Sequence, residues 1–169
     1  VQLLEPESRN LITHSEDFSN ASWIKTDAST TSNATTSPKG DLTADKLIAS
    51  ATTSSHYLRA NITSLGEATI SFYLKKAEED TVFIGNASAS QGAEFDLTNG
   101  VINSVTGGSA DIVDYGNGWY RCSYTKASFS DWQYLSLRGN FASYLGDGIS
   151  GVYVWGAQFE EQSYPTSYI

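Results

Sequence analysis

The chain has 169 residues, with 19 Asp plus Glu against 10 Lys plus Arg (net charge −9), 21 aromatic residues, 40 Ser plus Thr, one Cys and no Met. That length suits a single domain that buries about two-thirds of its unfolded surface, with no need of a disulfide that one cysteine could not close internally. The acidic balance opposes phosphate polyanions and argues against nucleic acid as a partner, and no apolar run approaches the roughly 18 residues of a membrane-spanning helix.

In chain order, the opening VQLLEPESRN lacks the basic and apolar regions of a signal peptide, and Val1 in place of Met predicts a processed piece or a module of something longer. Residues 1–9 are expected to form a lead-in arm and residues 10–169 a single domain. The polar, Ser- and Thr-rich segment Asp27–Gly40 is expected as an early edge strand plus loop, and only Leu42–Ala49 and Ala77–Asp80 could hold a helical turn. From there the apolar pattern has a period of two. His56–Ile62, Thr69–Lys75, Thr81–Gly85, Trp119–Thr125, Trp132–Arg138 and Gly151–Phe159 alternate and are rich in β-branched and aromatic residues, the signature of strands. Thr98-Asn99-Gly100, Gly107-Gly108, Gly116-Asn117-Gly118 and Gly146-Asp147-Gly148 punctuate them as turns. Short strands at this spacing predict an all-β, antiparallel β-sandwich. In Val152–Phe159 both strand faces are apolar, which predicts a central strand.

Three segments point to a family. They are Leu3–Ile12 (LLEPESRNLI) leading into Ser15–Trp23 (SEDFSNASW), Gly116–Cys122 (GNGWYRC), and Gly146-Asp147-Gly148 followed by Val152–Glu161 (VYVWGAQFEE) and Tyr164–Ile169 (YPTSYI). Together they resemble the carbohydrate-binding-type jelly-roll modules of bacteriophage tail fibres and tailspikes, found also in some secreted bacterial polysaccharide-degrading proteins. The resemblance implies a lectin-like, non-catalytic jelly roll that binds polysaccharide, virion-associated or extracellular. It also implies a trimer in the parent protein, with the isolated module expected as a monomer or weak trimer.

The residues themselves suggest where a glycan would sit. Leu135 and Leu137 share a strand face with Gln133, while Trp132, Tyr134, Ser136 and Arg138 share the other. The same parity sends Leu58, Ala60 and Ile62 inward with Tyr57, Arg59 and Asn61 outward, and Ile70, Phe72 and Leu74 inward with Ser71, Tyr73 and Lys75 outward. If the three strands lie in one concave sheet, Tyr57, Arg59, Tyr73, Lys75, Trp132, Tyr134 and Arg138 gather on its outer face. Aromatic rings stack on the apolar C–H faces of sugars and guanidinium groups donate to hydroxyls or carboxylates, so this set suits a polysaccharide, including an anionic one. A solvated sheet face with cross-strand Tyr/Arg pairs would read the same way. Trp23, Trp119 and Trp155 are expected to be structural.

Asn10, Glu16 and Asp17 near one end and Gln158 and Glu160 near the other are oxygen donors that would suit Ca²⁺ if the chain ends pair, although no contiguous calcium loop is present. No cofactor is required by any motif. Catalysis is hard to assemble: His14 and His56 lack metal-pair spacing, Cys122 is expected to face the core, and no Gly-x-Ser-x-Gly occurs. The chain is therefore expected not to be an enzyme. The alternatives are a hydrolase using two carboxylates, a lyase using His56, Tyr57 and Arg59, or a structural spacer of a trimeric fibre.

Overall fold

A computed structural model describes residues 5–139 and 141–169; the first four residues of the expected arm lie outside the described residues. The described residues form fourteen strands: β1 (Ile24–Thr26), β2 (Ala28–Thr35), β3 (Ala44–Ala49), β4 (Thr53–Ser54), β5 (Tyr57–Ser64), β6 (Ala68–Lys76), β7 (Thr81–Gly85), β8 (Gly92–Asp96), β9 (Val101–Thr106), β10 (Ser109–Gly116), β11 (Trp119–Lys126), β12 (Phe129–Leu137), β13 (Tyr144–Leu145) and β14 (Gly151–Glu160). They form two six-stranded sheets, in the orders β1-β5-β12-β7-β8-β9 and β10-β11-β6-β14-β3-β2, and β4 pairs with β13 in a small third sheet. All pairings are antiparallel, and the fold is an all-β sandwich.

The wiring is that of a jelly roll. β3 pairs with β14, β5 with β12, β6 with β11 and β7 with β8, so the chain folds back on itself pair inside pair. Apart from the β7–β8 hairpin at its centre, consecutive strands of this nest cross from one sheet to the other. The inner faces interdigitate as the alternation requires: Leu58, Leu135 and Leu137 from one sheet and Ile70, Phe72 and Leu74 from the other are buried in one core. Trp23 plugs one end, packed on Phe18 and Phe72 at ring separations of 5.1 and 5.9 Å, with its Nε1 donating to the His14 carbonyl at 2.9 Å. Cys122 is buried in the same core.

β14 is the central strand that its two apolar faces predict, lying between β6 and β3. At Gly156 (φ 58°) it bulges, and beyond the bulge its free edge is taken by the N-terminal segment: Leu11 N–H donates to the Phe159 carbonyl at 2.8 Å and Ala157 N–H to the Ser15 carbonyl at 2.9 Å. The 42–49 segment, which could have held a helical turn, forms β3 instead. Its Asp45 is 1% exposed and accepts the Phe18 and Asn33 N–H groups at 3.0 and 2.9 Å, tertiary bonds that a local helix could not supply.

Candidate functional site

On the outer face of the first sheet, register brings Arg59 of β5 opposite Tyr134 of β12, Tyr57 opposite Ser136, and Asn61 opposite Trp132. The Arg59 guanidinium carbon lies 4.5 Å from the Trp132 ring centroid and 5.7 Å from that of Tyr134, and Nη1 donates to the Tyr134 hydroxyl at 3.1 Å. Arg59 Nε is buried with no partner among the described residues. Tyr134 is only 6% exposed because Tyr57 and Phe141 pack edge-on against it, both at 5.1 Å, and Phe141 also touches Phe83 at 5.7 Å. Trp132 and Arg59 remain half-buried, and Trp132 forms one wall of a groove of about 280 Å³ that continues past Asn61 to Thr13, His14 and Ser22. The surface thus combines an aromatic ring, a fixed guanidinium and a run of hydroxyl and amide groups beside a cleft.

Four of the expected ligand residues, Tyr57, Arg59, Trp132 and Tyr134, meet here. The other three do not. Arg138 follows the last residue of β12 in a left-handed conformation (φ 54°), which ends the strand alternation and turns the side chain away. It donates to the Glu79 carboxylate at 2.8 Å, which raises its pKa, and it lies 3.8 Å over the Tyr144 ring. Tyr73 and Lys75 belong to β6 and therefore to the opposite sheet. Tyr73 is 2% exposed there, in a second cluster with Trp119 and Trp155, and burial pushes its phenol well above the ordinary range. Trp155 is buried as expected but in this outer cluster rather than between the sheets. Sequence reasoning missed Phe83 and Phe141. The parity of Thr81–Gly85 could have indicated Phe83; nothing in the pattern marks Phe141, which reaches the face from the turn after β12.

Of the five oxygen donors proposed for a cation, Asn10, Glu16, Gln158 and Glu160 hydrogen-bond between the two chain ends, and Asp17 bonds locally. Asn10 Oδ1 accepts Ile12 N–H and Phe159 N–H, both at 3.0 Å, and Gln158 Oε1 accepts Ile169 N–H at 2.7 Å. Glu16 accepts the Tyr168 hydroxyl at 2.6 Å, and Asp17 accepts Ser19, which lowers its pKa. Glu160 accepts from Ser8, Gln158 and Thr166 and faces Arg121. Among the described residues no group of three or more His, Cys, Asp or Glu side chains is placed to hold a metal ion. Asn10, Glu16, Gln158 and Glu160 thus form a hydrogen-bonded clasp that joins the two chain ends.

The groups named for a lyase are also engaged. Both His56 ring nitrogens face backbone carbonyls, those of Asp27 and Tyr144, and the ring is fully buried, out of reach of a substrate on the surface. No helix among the described residues is long and apolar enough to cross a membrane.

No family model matches the chain, and no curated protein does. Among solved structures, it is similar to the enzymatically active domain of tailspike protein 4 of bacteriophage CBA120, at 14% identity and a TM-score of 0.48, over 89% of this chain and 21% of that one. The chain therefore spans about a fifth of the tailspike chain it matches. That chain is described as enzymatically active, and on this finding the expectation that the present chain is not an enzyme is withdrawn.

Proposed function

We propose that this chain is a polysaccharide-engaging sandwich of a phage tail-type protein and that it engages glycan on the outer face of the first sheet. The observation that carries the reading is the Arg59 guanidinium held 4.5 Å over Trp132 and bonded to Tyr134, at the wall of the groove that runs to Thr13 and His14. Stacking a sugar on Trp132 removes apolar surface from both partners, and a guanidinium already fixed by its neighbours donates with little reorganisation. Tyr57, Phe83 and Phe141 brace the platform from beside Tyr134. The resemblance of the framework segments to tail-fibre modules supports the same setting, a virion-associated protein meeting surface polysaccharide.

The test is a polysaccharide-gel retardation screen with product analysis on the same samples. Retention by at least one polysaccharide, weakened in Trp132→Ala, is the expected result. Product analysis reads turnover directly, since new reducing ends mark hydrolysis and absorbance of unsaturated uronate marks elimination. Retention by none, with no product formed, would leave a structural spacer as the function. Light scattering of the isolated chain is expected to show a monomer or weak trimer, and a tight dimer would contradict the tail-fibre setting.

A further inference from the structure

The outer face of the second sheet holds a groove that the first-sheet reading does not use. Two depressions of about 170 and 340 Å³ adjoin there and share Pro38 and Tyr115 in their walls. The smaller is otherwise walled by Tyr73, Trp155 and Tyr168, and the larger by Lys75 and Trp119.

The rings are held in place before any ligand arrives. Trp119 Nε1 donates to the Thr36 carbonyl at 3.2 Å, Trp155 Nε1 to the Thr43 hydroxyl at 3.0 Å, and the Tyr168 hydroxyl to Glu16 at 2.6 Å. Tyr73 forms the floor, edge-on to Tyr115 at 4.9 Å and to Trp155 at 5.3 Å. Gly156 makes this packing possible: a Cβ there would come within 2.9 Å of the Tyr73 ring and 3.0 Å of Tyr168, at a φ of 58° that side chains disfavour. Tyr115 itself is 48% exposed and stands at the hairpin between β10 and β11, dividing the two depressions.

The charge here runs against that of the molecule. Lys39 lines the smaller depression and Lys75 the larger, in a chain of net charge −9. Lys75 is half-buried, and its side chain makes no ion pair or hydrogen bond among the described residues. An ammonium left unneutralised beside aromatic rings complements a ligand that has both a carboxylate and an apolar ring face. A neutral glycan would use the rings and leave the lysines unmatched.

We infer that this groove is a second saccharide site, separate from the first-sheet face, which takes an acidic oligosaccharide with one sugar ring against Tyr115 and a uronate carboxylate at Lys75. It stands whether or not the first sheet binds glycan.

The test is a ¹H–¹⁵N NMR titration of the whole chain with tetragalacturonate and with tetramannuronate, using cellotetraose as the neutral control. Saturable shifts are expected at the amides of Tyr115–Tyr120, Gly156 and Tyr168 with a uronate, and weaker or no shifts with cellotetraose. Tyr115→Ala, at an exposed hairpin position, is expected to weaken this binding about tenfold, and Lys75→Gln about fivefold with loss of its salt dependence. Trp132→Ala should leave it unchanged. Failure of the first-sheet reading is seen separately, as an absence of shifts at Arg59 and Trp132. No saturable shift at the second-sheet amides with either uronate overturns the inference, as does binding indifferent to both Tyr115→Ala and Lys75→Gln.

Discussion

Replacing Glu160 by Gln keeps the shape of the side chain and removes its charge at a point where three parts of the chain meet. The carboxylate is fully buried and accepts from Ser8 and Gln158 at 2.8 and 2.9 Å and from the Thr166 N–H at 3.2 Å. It lies 3.9 Å from Nη2 of Arg121, itself 4% exposed. After the substitution the guanidinium retains the Thr166 carbonyl at 2.5 Å, Ser71 at 3.3 Å and the Tyr73 ring at 5.1 Å, but its charge is uncompensated. Stranding one buried member of an ion pair costs about 3–5 kcal/mol, and the retained contacts place this case near 3. For a chain of this size the expected fall in Tm is about 10 °C. Urea unfolding followed by tryptophan fluorescence, at an unchanged m-value, measures the loss. The double variant Arg121→Met, Glu160→Gln removes both charges while leaving an amide oxygen to accept the Thr166 N–H, and is expected to recover part of the loss, because the guanidinium charge is no longer stranded. A single variant within about 0.5 kcal/mol of wild type, or a double variant no more stable than the single, would refute the reasoning.

Three further outcomes are expected. Trp132→Ala should weaken binding of a retained glycan fragment by about 2 kcal/mol, roughly 30-fold in calorimetric titration, whereas Arg138→Ala, held by Glu79 away from the face, should stay within about twofold of wild type; equal losses would return Arg138 to the site. The Asp147 carboxyl is held down to about 2 by the Ser150 hydroxyl and by the Ser150 and Ile149 N–H groups. Its folded value lies below its unfolded one, so it contributes stability above the ordinary aspartate value of 3.8 that is lost as pH falls toward 2, and a carboxyl titration by NMR with a midpoint near 3.8 would contradict this. Burial pushes the Cys122 thiol well up, so a thiol reagent at about pH 8 should label it only along the urea transition, and prompt labelling of the native protein would count against the described core.

The strands legible in the sequence are those with at least one apolar face, because burial in the sandwich imposes the period of two on a strand covered from one side and a continuous apolar run on one covered from both. β5, β6, β7, β11, β12 and β14 all lie where the alternation puts them, and the parity of Leu135 and Leu137 against Trp132 holds. β9 and β10 carry no such signal. They are edge strands whose residues are mostly exposed, so little in Val101–Thr106 or Ser109–Gly116 needs to be apolar. β3 was obscured by Asp45, a buried acid whose backbone partners lie 27 and 12 residues away. For the site, alternation tells which residues share a face of one strand but not which sheet the strand joins. In a nested jelly roll, β5 and the adjacent β6 go to opposite sheets, and that step separates Tyr73 and Lys75 from Trp132. Arg138 was lost to a single left-handed residue at a strand end, which no spacing rule anticipates.

The pairing of the last strand with the early β3 also sets the order in which the molecule can be completed. β14 fills the slot between β3 and β6, so on a ribosome the second sheet stays split, with two open edges, until Gly151–Glu160 has emerged. Unpaired edges invite pairing with other chains, and closing such distant partners is slow compared with forming local hairpins. The same arrangement works in reverse once folding ends. A protease that reaches the sandwich finds the late strand locked in the middle of a sheet, with its far half clasped by residues 10–15.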